Sequence, residues 1–155
     1  MRLDEYFPPQ RVAQMGEYMK SFAARFGISD FRQRDRMPNT RRALALAEVA
    51  RDEGKLDAIR SRAMEAHWRD GTNIEDDDDL RAIARDAGLS ADAVDRSKND
   101  PQYLRRIDAI RDEANRLGVE GIPTFVIGRV AMSGAQPYEV FADFAQQAGA
   151  KKRTE

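Results

Sequence analysis

One stretch, VEGIPTFVIGRVAMSGAQP at residues 119–137, limits what this chain can fold into more than any other feature. It is the one part patterned for β-structure. Thr124-Phe125-Val126-Ile127 is a β-branched and aromatic run, Gly128-Arg129 can turn, and Val130-Ala131-Met132 can pair back. The stretch therefore reads as a two-stranded hairpin. Phe125 and Ile127 fall on one face and Thr124 and Val126 on the other, so apolar groups occupy both faces. A lone hairpin is at best marginally stable in water. Such a strand requires further strands beside it, and the chain offers few candidates, Leu3 to Phe7 among them. Otherwise another chain supplies them.

The rest of the chain is helical in pattern, with apolar residues at helical spacing between start and stop signals. Pro8 and Pro9 open a helix through Met15, Met19, Phe22 and Phe26, which Gly27 stops. Asn39 reads as the N-cap of a helix from Thr40, with Leu44, Leu46 and Ala47 inside and Gly54 at its end. Leu56, Ile59, Ala63, Met64, His67 and Trp68 line the next helix, stopped near Gly71. A short helix carries Leu80, Ile83, Ala84 and Ala87 up to Gly88. Ser90 caps another, with Ala91 and Val94. Pro101 stands at a first helical position, ahead of Leu104, Ile107, Ile110, Ala114 and Leu117. Pro137 opens the last helix, with Val140, Phe141, Phe144 and Ala145 on one face. Residues 151–155 are expected to fray. The expected fold class is α+β, predominantly helical.

Composition narrows the chemistry. Lys and Arg total 26 against 27 Asp and Glu among 155 residues. That balance gives no electrostatic reason to expect nucleic acid or an anionic membrane as partner. No apolar run approaches the roughly 18–20 residues that span a bilayer. Met1-Arg2-Leu3-Asp4-Glu5 lacks the basic start and apolar stretch of a signal peptide, so a cytoplasmic location is expected. The sequence contains no cysteine and a single histidine, His67. Disulfides, thiolate metal sites and thiol chemistry supplied by this chain alone are thereby excluded, as is a His-rich metal site.

Gly121-Ile122-Pro123-Thr124-Phe125-Val126-Ile127, followed by Val130-Ala131-Met132-Ser133-Gly134-Ala135-Gln136-Pro137, resembles the C-terminal part of DsbA-like thioredoxin-fold proteins. The similarity is greatest to the FrnE-like dithiol–disulfide oxidoreductases, a branch related to 2-hydroxychromene-2-carboxylate isomerases and kappa-class glutathione transferases. Pro38-Asn39-Thr40 with Ala43 and Leu44, the helices around Met64 to Trp68, and Leu117-Gly118-Val119 agree with it. The resemblance covers roughly residues 15–147. It implies one partial DsbA-like domain, in which residues 8–117 correspond to the helical insertion and residues 118–150 to the thioredoxin-like C-terminal portion. It further implies a cis-proline at Pro123 that faces the redox Cys-x-x-Cys in the family. The first strand, the redox helix and most of the second strand have no counterpart in this chain.

On that basis Ile122, Pro123 and Thr124 are the candidate substrate-binding residues, with an extended peptide as partner, no catalytic residue, no metal and no cofactor. The plain alternative is that Pro123 is a turn residue kept for folding. A second reading is a glutathione-handling enzyme that works through the Ile122-Pro123 loop with Ser133, Gln136 or Arg129. A third is a homo-oligomer whose hairpins complete one sheet. Elsewhere the plain readings are simpler. The run Glu75-Asp76-Asp77-Asp78-Asp79 lacks EF-hand spacing and suits a helix start. His67 beside Trp68 has no nucleophile to serve and reads as a packed residue. Met15, Met19 and Phe22 read as core, or as an exposed groove or dimer contact in a chain without the first thioredoxin unit. Arg32, Arg34, Arg36, Arg41 and Arg42 read as a solvated surface rather than a phosphate site.

Overall fold

The computed structural model describes residues 2–32 and 35–151; Arg34 and the tail after Lys151 lie outside the described residues. The helical signals become α1 (Pro9–Ala24), α2 (Arg41–Asp52), α3 (Leu56–Glu65), α4 (Asp77–Asp86), α5 (Ala93–Asn99) and α6 (Pro101–Arg116). The β-patterned stretch becomes β1 (Thr124–Ile127) and β2 (Val130–Ser133), and α7 (Tyr138–Gln147) follows. The fold is α+β and predominantly helical, with one small antiparallel hairpin. The chain divides into two compact units, residues 1–108 and 109–155.

The first unit owns the core. α2 packs against α3 and α5, and α4 packs against the same two helices. Leu46, Val49, Ile59, Leu80, Ile83 and Val94 are its largest fully buried side chains. Each comes from the apolar stripe of its helix, and removing one such side chain from water is worth about 1.5–3 kcal/mol. Glu48 is also buried, on the same turn as Val49, and is neutralised there by the forked hydrogen bonds of Arg51 at 3.0 Å.

α4 shows why the acidic run belongs where it is. Asp76 adopts extended backbone, and its Oδ1 accepts the N–H groups of Asp78 at 2.9 Å and Asp79 at 3.1 Å. Asp77, Asp78 and Asp79 then occupy the first turn, where the helix dipole favours negative charge. Asp76→Ala is expected to cost about 1 kcal/mol, the usual loss for an N-cap, as read by urea denaturation. An unchanged midpoint would refute the capping role.

Two local expectations need correction. Leu3 to Phe7 is no strand: Leu3–Glu5 forms a 3-10 turn, and Arg2 makes an isolated bridge with Arg36. Leu3 is buried in that turn, and its N–H donates to the Asp35 carbonyl at 2.8 Å. The Asn39 carboxamide oxygen accepts the Arg41 N–H at 3.0 Å, as an N-cap does, and α2 proper begins at Arg41, one residue after Thr40. Ser90 does not cap α5 with its side chain, since its hydroxyl donates to Glu53 instead.

The second unit differs in kind. No described residue between 109 and 151 is buried. Gly128 takes a positive φ of 62° in the two-residue turn, where a side chain would be strained. The hairpin aligns Thr124 with Ser133, Phe125 with Met132, Val126 with Ala131 and Ile127 with Val130. Phe125 meets Phe141 of α7 edge-on at 4.6 Å, so the Phe125 face is the one α7 partly covers.

Candidate functional site

The loop before β1 is pinned at two points. Thr124 Oγ1 donates to the Gly121 carbonyl at 2.7 Å and lies 3.3 Å from Ser133 Oγ. The Pro123 carbonyl accepts the Gly134 N–H at 2.8 Å. Between these anchors the Ile122–Pro123 peptide bond is cis, and the Ile122 side chain is 95% exposed. Ile122, Pro123 and Thr124, the candidate residues of the sequence, thus form one short bend anchored on both sides.

The register settles which way the backbone of β1 points. Ile127 and Val130 flank a two-residue turn and form a hydrogen-bonded pair, so alternation makes Phe125 and Met132 the next such pair. The bond from Gly134 to Pro123 continues that series. Two consequences follow. The missing N–H of Pro123 is on the β2 side, so the proline takes no donor from the opposite edge. Thr124 and Val126 turn their N–H and C=O groups away from β2. Among the described residues β1 pairs with β2 alone, which leaves that edge open. Val126 is 51% exposed beside it.

The chemistry of this edge is narrow. Residues 121–127 contain no ionisable side chain, so the bend can offer backbone hydrogen bonds and apolar contact but no proton transfer. Of the residues in the glutathione reading, Ser133 adjoins Thr124, and Gln136 Nε2 donates to the Ser133 carbonyl at 3.3 Å. Arg129 sits in the turn at the opposite end of β2, about 13 Å from Ser133 along a strand of this rise. The three do not converge.

The other sequence candidates are used structurally. His67 is buried, with its ring edge-on to Trp68 at 4.6 Å. Arg41 forms a forked pair with Asp108 at 2.7 and 3.1 Å, Arg42 pairs with Asp77, and Arg32 donates to the Asp70 carbonyl at 3.4 Å. These guanidiniums point at different partners and assemble no phosphate site. Within the acidic run, Asp77 also receives Lys98 at 3.0 Å, Asp78 pairs with Arg81 at 2.9 Å and Asp79 accepts the Asn73 N–H at 3.1 Å. Among the described residues no group of three acidic or histidine side chains is placed to hold a metal. Nor is any helix there long and apolar enough to cross a membrane. Met19 and Phe22 are not core: they line an open groove of the first unit. Their helical spacing suggested core, with an exposed groove as the alternative in a chain without the first thioredoxin unit, and nothing in the sequence marked the groove's other wall.

The family model of the DSBA-like thioredoxin domain matches residues 2–146. The chain is similar in structure to a probable DsbA oxidoreductase from Streptomyces coelicolor, at 30% sequence identity and a TM-score of 0.77. The match covers 94% of this chain and 64% of that one, so this chain spans less than two thirds of its neighbour's length. No curated protein matches.

Proposed function

This chain belongs to the DSBA-like thioredoxin domain family, and from that membership we propose that it binds extended polypeptide at the open edge of β1 while performing no thiol–disulfide exchange itself. Exchange requires attack by a thiolate on a disulfide sulfur. The sequence contains no cysteine to provide one. What it retains is the substrate side. The single observation that carries the reading is the open edge, where Thr124 and Val126 present unshared backbone groups beside the exposed Ile122. An incoming strand would gain main-chain hydrogen bonds from Thr124 and Val126 and apolar contact from Ile122. A cytoplasmic setting is part of the same proposal and suits a chain without disulfides.

The test is a fluorescence anisotropy titration with a labelled, extended apolar peptide. Val126→Pro removes a donor that faces away from β2, where proline is tolerated in an edge strand. It should leave the circular dichroism unchanged and weaken binding by roughly tenfold or more, the equivalent of about 1.4 kcal/mol. Equal affinity of the variant and the parent would overturn the proposal. Insulin reduction by the purified chain should stay at background, and measurable turnover would contradict the redox part of the reading.

A second copy of the chain is the other occupant this edge admits. The observation favouring it is that no described residue between 109 and 151 is buried, so the apolar faces of the hairpin and α7 are covered only in part. Light scattering separates the two occupants, since a folded monomer at every concentration rules the second copy out.

A further inference from the structure

The groove of the first unit is built by an irregularity in the helix that follows α3. Ala66–Asp70 is a π-helical turn, closed by Gly71 at a φ of 80°. π-turns inside helices occur frequently at functional sites. Here the Thr72 N–H reaches back to the Ala66 carbonyl at 2.8 Å, which leaves the Trp68 carbonyl to accept the Arg32 N–H, also at 2.8 Å. That bond fastens the segment after α1 to the π-turn and lays Phe31 against Trp68, with ring centres 5.2 Å apart and planes 22° from parallel. The groove therefore has three walls: Met19, Phe22 and Phe26 from α1 and its end, Phe31 from the fastened segment, and Met64 and Trp68 from the helix opposite.

Its contents are unusual for a solvated surface. Phe26 is 55% exposed and Met64 59% exposed, yet both face a hollow of about 530 Å³. That volume lies within the roughly 300–1,000 Å³ of small-molecule sites, which likewise combine apolar walls with few polar groups. Methionine side chains on two walls can adapt to ligands of different outline.

The polar rim disfavours anions. It consists of Asp30, Glu65 and Arg69. The Arg69 guanidinium is already held by Glu65 at 3.0 Å and Asp70 at 3.1 Å. An anionic ligand would meet carboxylates and an engaged cation; an uncharged one meets aromatic faces at no electrostatic cost. We propose that this groove is a binding site for small, planar, uncharged apolar compounds, stacked against the Phe31–Trp68 pair. The site is independent of polypeptide binding at β1, and neither proposal requires the other.

Trp68 is the only tryptophan in the sequence, so its emission reports the groove directly. Titration of the full chain with Nile red, a neutral planar dye, should quench Trp68 saturably at micromolar concentration. The anionic dye anilinonaphthalene sulfonate should bind roughly tenfold more weakly. Met64→Lys, at an exposed position, should weaken Nile red by about tenfold and strengthen the sulfonate, with an unchanged thermal midpoint. Phe26→Lys provides a second variant from the opposite wall, with the same expected direction. Quenching without saturation, equal affinity for both dyes, or indifference to both substitutions would each overturn the proposal.

Discussion

Leu46→Ala should destabilise the chain by about 2–5 kcal/mol, the range for emptying a fully packed leucine site. Leu46 is 1% exposed at the centre of α2, where α3 and α5 close over it. The neighbouring substitution Leu44→Ala is the control, because Leu44 is 46% exposed on the same helix. It should change stability by no more than about 0.5 kcal/mol. Urea denaturation followed by far-ultraviolet circular dichroism measures both. Comparable losses in the two variants would mean that the core of the first unit has been misplaced.

Glu53→Ala carries the second large effect, about 1.5–3 kcal/mol at neutral pH for hydrogen bonds to a charged group. Glu53 ends α2, and its carboxylate accepts the Ser90 N–H at 3.0 Å, the Ser90 hydroxyl at 2.6 Å and the guanidinium of Arg96. One side chain thereby ties the end of α2 to the link between α4 and α5. Burial pushes the Glu53 carboxyl up, but the Ser90 hydroxyl and amide and the Arg96 and Lys55 charges together outweigh it and hold it below the ordinary 4.5. The folded state therefore binds this proton less readily than the unfolded state. The stabilisation is fully present above the ordinary value and disappears as the pH falls through the depressed folded one. Denaturation curves of the parent and Glu53→Ala should accordingly converge in acid and separate towards neutrality. A gap that widened in acid would show that the carboxylate is not what stabilises the junction.

Much of this was legible in the sequence, for identifiable reasons. Helices were marked by apolar spacing and by punctuation that acts locally, such as Pro101 at a helix start and Gly71 at a stop. The hairpin was equally plain, since β-branched runs around Gly128-Arg129 leave few alternatives. What escaped depended on partners distant in the chain. Ser90 looked like a cap because its sequence neighbours suit one, yet its hydroxyl is taken by Glu53, 37 residues away. Leu44 and Leu46 both counted as apolar positions inside α2, yet residues two apart on a helix point to nearly opposite sides, and only Leu46 is buried. The groove was half visible through Met19 and Phe22. Its other wall depends on a π-turn that sets Trp68 opposite them, and no propensity scale marks that turn.

The bend at Ile122, Pro123 and Thr124 was visible as a motif, whereas its usable edge was not. Register decides that edge: Thr124 and Val126 face outward because Ile127 pairs with Val130. This alternation also yields the most direct test of polypeptide binding by a chain that carries no thiol. Amide hydrogen exchange should be measured residue by residue with and without a saturating extended apolar peptide. Strand addition predicts that the Thr124 and Val126 amides slow markedly, while Phe125 and Ile127, already bonded to β2, change little. Unchanged exchange at Thr124 and Val126, or slowing confined to Phe125 and Ile127, would contradict it.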